Sequence, residues 1–106
     1  MKVSDKNRLR EEEEIERIFR AAFSAYSRRF PPRAYRQNIA SIRVRLVSNE
    51  FEGLTLSERE KIVLPIVRML SEDIQDQLTM LLLLTPSEVA KSFANLEFER
   101  PIPSEL

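Results

Sequence analysis

The chain of 106 residues has no cysteine and no histidine, and it has a single glycine. Each absence removes a class of chemistry. Without cysteine there is no disulfide framework, zinc ribbon or thiol chemistry. Without histidine, the commonest general base and the commonest metal ligand are both gone. One glycine cannot supply the GxxG loop with which KH-type domains bring backbone close to RNA. Long apolar runs are missing as well. The longest, Met80 to Leu84, is far too short to span a bilayer. The amino terminus is charged from Lys2 onward and lacks an apolar signal core. These features imply a soluble cytoplasmic protein of one domain over 1–106, with 42% hydrophobic residues to build a single core.

The formal net charge of zero hides an asymmetry. Residues 17–48 hold eight arginines and no acid, whereas residues 49–106 hold eleven acids and five bases. Arginine without lysine is notable, because the guanidinium fork recognises phosphate and carboxylate bidentately.

Periodicity sets out the elements. Ile15, Ile18, Phe19, Ala22, Phe23 and Tyr26 form an apolar stripe at helical spacing, which predicts a helix over 8–29 behind a frayed 1–7. Glu11 to Glu14 at its start and Arg28-Arg29 at its end suit the helix dipole, and Glu16 with Arg20 adds a pair one turn apart. Pro31-Pro32 stop it. A strand is expected near 34–40, where alternation is poor, and another over 41–48, where Ile42, Val44 and Leu46 alternate with Arg43 and Arg45. Gly53 falls where strand must turn to helix, a place for positive φ. Thr55-x-x-Glu58 and Ser57-x-x-Glu60 both read as capping boxes for a helix over 56–70, with Leu56, Ile62, Val63, Ile66, Val67 and Leu70 as its apolar face. Pro65 should kink that helix or mark a restart. A short helix over 71–76 and a strand over 78–84 follow. Leu78, Met80, Leu82 and Leu84 would share one side of that strand, and Thr79, Leu81 and Leu83 the other. With helices on one face of the sheet only, Leu81 and Leu83 would be exposed unless something covers them. The 86–106 segment, with Val89, Phe93, Leu96, Phe98 and Ile102, is one candidate cover; a second copy of the chain is another.

Val47-Ser48-x-x-Phe51-x-Gly53, then Arg59-Glu60-Lys61-Ile62-Val63, then Thr85-Pro86-Ser87-Glu88, fall in the order and near the spacing of a known pattern. In these residues the chain resembles the BolA-like family of small proteins. The likeness runs ungapped from about Ile42 to Val63, and one inserted residue brings Thr85 to Glu88 into register, covering roughly the central half of the chain. The resemblance implies an α+β fold of order α-β-β-α-α-β, similar to the type II KH topology, with a three-stranded sheet. It also implies a link to iron–sulfur cluster handling beside a monothiol glutaredoxin partner, or to stress-linked and transcriptional regulation. The departures fall on the family's histidines. Glu60 stands in the middle of its R-H-R motif, and Gln77 stands where its cluster-ligating histidine belongs. No His or Cys between Pro31 and Ser41 matches its second ligand. An amide oxygen is a poor iron ligand, so no cofactor and no metal are expected.

Three readings of function stand side by side. The first is a non-catalytic adaptor or regulator acting through protein–protein contacts. The second is a nucleic-acid-binding regulator in which Arg28, Arg29, Arg33, Arg36, Arg43 and Arg45, with Arg59 and Lys61, contact phosphates while Tyr35 and Phe30 stack on bases. A pI near 6.4 argues against it, and the bland account of the arginines is balance by the acidic half. The third is a small subunit of a larger assembly, or a homo-oligomer, built on Leu81 and Leu83. Catalysis is not expected. Ser57 and Lys61 lie one turn apart, but no partner group is evident, and Glu58 and Glu60 suit a solvated helix face. The first reading is preferred.

Overall fold

The computed structural model describes residues 5–25 and 30–101, with side chains from Glu13 onward. Its elements are α1 (Asp5–Ala22), β1 (Arg33–Asn38), β2 (Ser41–Val47), α2 (Leu56–Val67), α3 (Glu72–Gln77), β3 (Leu78–Leu84) and α4 (Phe93–Glu99), with 3-10 turns at Asn49–Phe51 and Pro86–Glu88. This is an α+β fold in the order α-β-β-α-α-β, extended by α4.

α1 begins at Asp5, inside the stretch expected to fray, and ends at Ala22, earlier than the stripe suggested. Phe23 closes its last turn by donating its amide to Phe19 O at 3.0 Å, and the chain then turns. Tyr26, Arg28 and Arg29, named above for the stripe and the dipole, lie outside the described residues. The α1 face of Ile15, Phe19 and Phe23 is buried on the sheet.

β1 and β2 form an antiparallel hairpin, and β3 joins β2 in parallel after the α2–α3 crossover, giving the order β1-β2-β3. Ile42, Val44 and Leu46 point to the α1–α2 side and are buried with Phe51, Val63, Val67 and Leu83. Arg43 and Arg45 therefore point to the opposite side, as alternation requires. The register shifts between Ile42/Leu78 and Arg43/Met80, which leaves Thr79 as an extra residue. Its hydroxyl bonds to that of Ser41.

That bulge inverts the expected facing of β3. Leu81 and Leu83 pair with Val44 and Leu46 and belong to the main core, Leu83 being buried and Leu81 partly so. They are not an exposed apolar interface. An extra residue shifts the phase of every side chain beyond it. The sheet also carries helices on both faces, since α4 lies over the side of Arg43 and Arg45.

α2 starts on the Thr55–Glu58 capping box: Glu58 N donates to Thr55 Oγ1 (3.2 Å) and Thr55 N donates to Glu58 Oε1 (2.9 Å). Hydrogen bonding to the Glu58 carboxylate, from the Thr55 backbone amide first and the Thr55 side chain second, lowers the Glu58 pKa. Leu56, in the first turn, is 59% exposed and not on the apolar face. Pro65 falls in the last turn, with only Ile66 and Val67 beyond it in the helix. Gly53 has φ +74°, and a β-carbon there would meet nothing within 4 Å. Gly53→Ala should therefore cost about 1 kcal/mol from backbone strain alone, read by urea unfolding. No helix among the described residues is long and apolar enough to cross a membrane.

Candidate functional site

Ser48, Phe51, Arg59, Thr85 and Glu88 meet at one place, the junction where the chain leaves β2 and later leaves β3. Ser48 Oγ accepts from Glu50 N (3.1 Å), and Ser48 N donates to Leu84 O (2.9 Å). Phe51 is buried in the core. Arg59 reaches across from the first turn of α2. It donates to Leu54 O (3.1 Å), to Leu83 O (3.0 Å) and, through both terminal nitrogens, to the Glu88 carboxylate (2.6 and 3.2 Å). Its guanidinium lies 5.8 Å from the centre of the Phe51 ring. Glu88 Oε1 also accepts from Thr85 N (2.8 Å). The Arg59 hydrogen bonds first, and the Thr85 amide second, hold the Glu88 carboxyl down at about 2. Arg59 is thus a buried clamp between α2, β3 and the turn after it. It is not the exposed contact expected of a partner or phosphate ligand, whereas Lys61, two residues on, is exposed.

The second site is the sheet face under α4. Ser92 caps that helix by accepting from Asn95 N at 3.1 Å. Arg43 donates to Glu97 Oε2 at 2.5 Å, and Arg45 donates to Glu99 Oε1 and to Asn95 Oδ1, both at 2.8 Å. Tyr35 Oη donates to Phe98 O at 2.5 Å. The Phe98 ring is buried between Tyr35, 4.9 Å away centre to centre and tilted by 54°, and the Arg45 guanidinium, 5.2 Å away. Burial alone would lower the Arg43 pKa, but hydrogen bonds to Glu97 and Tyr35 outweigh it and the net shift is upward. The Arg45 hydrogen bond is the main cause of a lowered Glu99 pKa. Among the donors of Arg45, Nε is buried with no hydrogen-bond partner.

The expected cationic surface is therefore dispersed. Arg33 is exposed, with Glu16 3.5 Å away, and Glu16 also accepts from Arg20 at 2.9 Å. Arg36, at the far end of β1, bonds to the Gln77 side-chain oxygen and to Ile39 O. Gln77 also donates to Asp73 O at 3.0 Å, so both ends of its amide are engaged. Among the described residues no group of three carboxylates is placed to hold a metal ion. Sequence reasoning anticipated that the acidic half balances the arginines, but not which acids do so. Glu97 and Glu99 share the i, i+2 spacing of Arg43 and Arg45, but neighbours at that spacing on a helix do not share a face, so the match gave no signal to read. The tail residues proposed as a cover divide: Phe98 is buried, Phe93 is 90% exposed and Leu96 54% exposed. Ile102 lies outside the described residues. Comparisons with models of protein families, with curated proteins and with solved structures found no match for this chain.

Proposed function

We propose that this chain is a divergent BolA-like adaptor or regulator that works through protein–protein contact and not by catalysis. Kinship is supported by the way the pattern residues interlock: Phe51, Arg59, Thr85 and Glu88 form one connected junction, in the element order such a domain would have. The observation that carries the choice of mode is the pairing of Arg43 with Glu97 and of Arg45 with Glu99. Those two arginines were the centre of the phosphate-binding alternative, and here they are neutralised by their own chain. Gln77, where the family's cluster ligand would stand, is an amide held by Arg36. A tie to cluster handling, and a glutaredoxin-like partner, are then matters of ancestry. The subunit reading loses the ground it had in Leu81 and Leu83. Catalysis gains none, because Ser57 and Lys61 are both exposed on α2.

Retention of duplex and single-stranded DNA separates the readings. Phosphate binding would show affinity falling steeply with salt, through counterion release. The adaptor reading expects negligible retention at physiological salt, unchanged in Arg43→Gln/Arg45→Gln, together with capture of a defined protein from the native host. Sub-micromolar DNA binding that the double substitution abolishes would reverse the ranking.

A further inference from the structure

α4 is seated on the sheet as a ligand would be. It is seven residues long, too short to hold a helix in water without support. Its support comes from one anchoring ring and a set of polar contacts. Phe98 is buried, yet it lies outside the main core, which is complete with α1, α2 and the sheet. Glu97 and Glu99 flank that ring and meet Arg43 and Arg45, which stand two residues apart on β2 and so project from the same face roughly 7 Å apart. Phe93 and Leu96 on the same helix are turned to solvent. The fit is also incomplete. Arg45 Nε is left without a partner, and a notch lined by Arg33, Tyr35, Arg45, Phe98, Glu99 and Pro101 opens beside the helix.

We propose that the Tyr35–Arg43–Arg45 face is a docking surface for an acidic segment of a partner protein bearing an aromatic ring between two carboxylates, and that α4 occupies this surface when the partner is absent. The chain itself gives the chemistry of the occupant, since Glu97-Phe98-Glu99 is the pattern the face already holds. A partner segment of that kind makes the same two ion pairs and the same ring contact, and one further acceptor would satisfy Arg45 Nε. Displacing α4 leaves the main core intact, so the exchange is local and not an unfolding of the domain. A protein segment is favoured over a nucleic acid because the ring sits tilted against Tyr35, not stacked flat, and because the Tyr35 hydroxyl bonds a peptide carbonyl. The inference deepens the adaptor reading and rests on it for the existence of a protein partner.

The test uses the full chain and a fluorescent peptide of residues 91–101, Lys-Ser-Phe-Ala-Asn-Leu-Glu-Phe-Glu-Arg-Pro. Glu97→Lys/Glu99→Lys turns both ion pairs into repulsion and releases α4. Peptide anisotropy should then show binding at least about tenfold tighter than to the unaltered chain, whose face is competent only in its open fraction. Binding should weaken with salt and vanish when Arg43→Gln/Arg45→Gln is added, and a scrambled peptide should not bind. Equal affinity for both chains, no binding to the released chain, or tighter binding of an oligonucleotide than of the peptide would each overturn the proposal. Hydrogen exchange on the unaltered chain provides a second measurement that does not depend on how the variant folds. The amides of Leu96 and Arg100, bonded only within the α4 turn, should exchange at least about tenfold faster than those of Val44 and Leu46. Matching rates would make α4 part of the cooperative core and sink the idea. A captured partner with no peptide binding removes this face and keeps the adaptor; peptide binding with no partner in the host overturns both, leaving the face as the seat of α4 alone.

Discussion

Phe23→Ala should lower the unfolding free energy by roughly 3–5 kcal/mol, measured by urea denaturation. The ring is fully buried at the end of α1, parallel to Phe19 within 3° at 6.4 Å between centroids. Truncation removes its transfer free energy and leaves a cavity between α1 and the sheet that the neighbouring strands can only partly close. For a domain with a total stability of about 5–15 kcal/mol, that is a large share. Phe93→Ala is the matched control: the same chemistry at a residue 90% exposed should stay within about 0.5 kcal/mol. A loss under about 1 kcal/mol at Phe23 would mean that α1 is not packed on the sheet as described.

Arg59→Met should cost about 2–3 kcal/mol, because it strands the carbonyls of Leu54 and Leu83 as well as the Glu88 carboxylate. The upper figures for breaking a buried ion pair do not apply, since the Glu88 side chain is 41% exposed and water reaches it. The same substitution has a pH signature. Glu88 titrates at about 2 in the folded chain against an ordinary 4.5, so the unfolded chain takes up its proton first as pH falls. Its contribution is therefore fully present above about 4.5 and is lost progressively as pH drops through about 2. Arg59→Met should flatten the acid limb of the stability curve in that window and leave the neutral side parallel to the unaltered chain. High salt should flatten it too, given the exposure of the carboxylate. An unchanged acid limb would show that the pair does not set the Glu88 pKa.

Much of this fold was legible from spacing alone. The stripe of Ile15, Phe19 and Phe23, the alternation of β2, the Thr55–Glu58 box and the positive φ at Gly53 are local signals, written within one or two turns of chain. What spacing could not convey was the phase of β3. Leu78 to Leu84 is apolar at every position but Thr79, so no alternation marks its faces, and a single bulged residue decides them. The extent of α1 was misjudged because the apolar period continues past Phe23 while the backbone does not. The site was legible only in outline. An arginine-rich half and an acid-rich half announce some mutual contact, but the pairing of Arg43 with Glu97 joins residues 54 apart in the sequence. Arg59 was misread for a related reason: its partners, Leu83 and Glu88, come from beyond the crossover, and nothing near Arg59 in the sequence reports its burial.

The parallel pairing of β2 with β3 also sets an order of assembly. Ile42 meets Leu78 only after α2 and α3 have been bridged, whereas β1 and β2 meet across a two-residue turn. Closing the longer loop carries the larger entropic cost, so the hairpin with α1 against it is the natural nucleus, and β3 docks late. Until β3 docks and Arg59 closes on Glu88 across its edge, the chain exposes its most apolar strand with no charge upon it, and this is when it would be most open to association with another incompletely folded copy of itself.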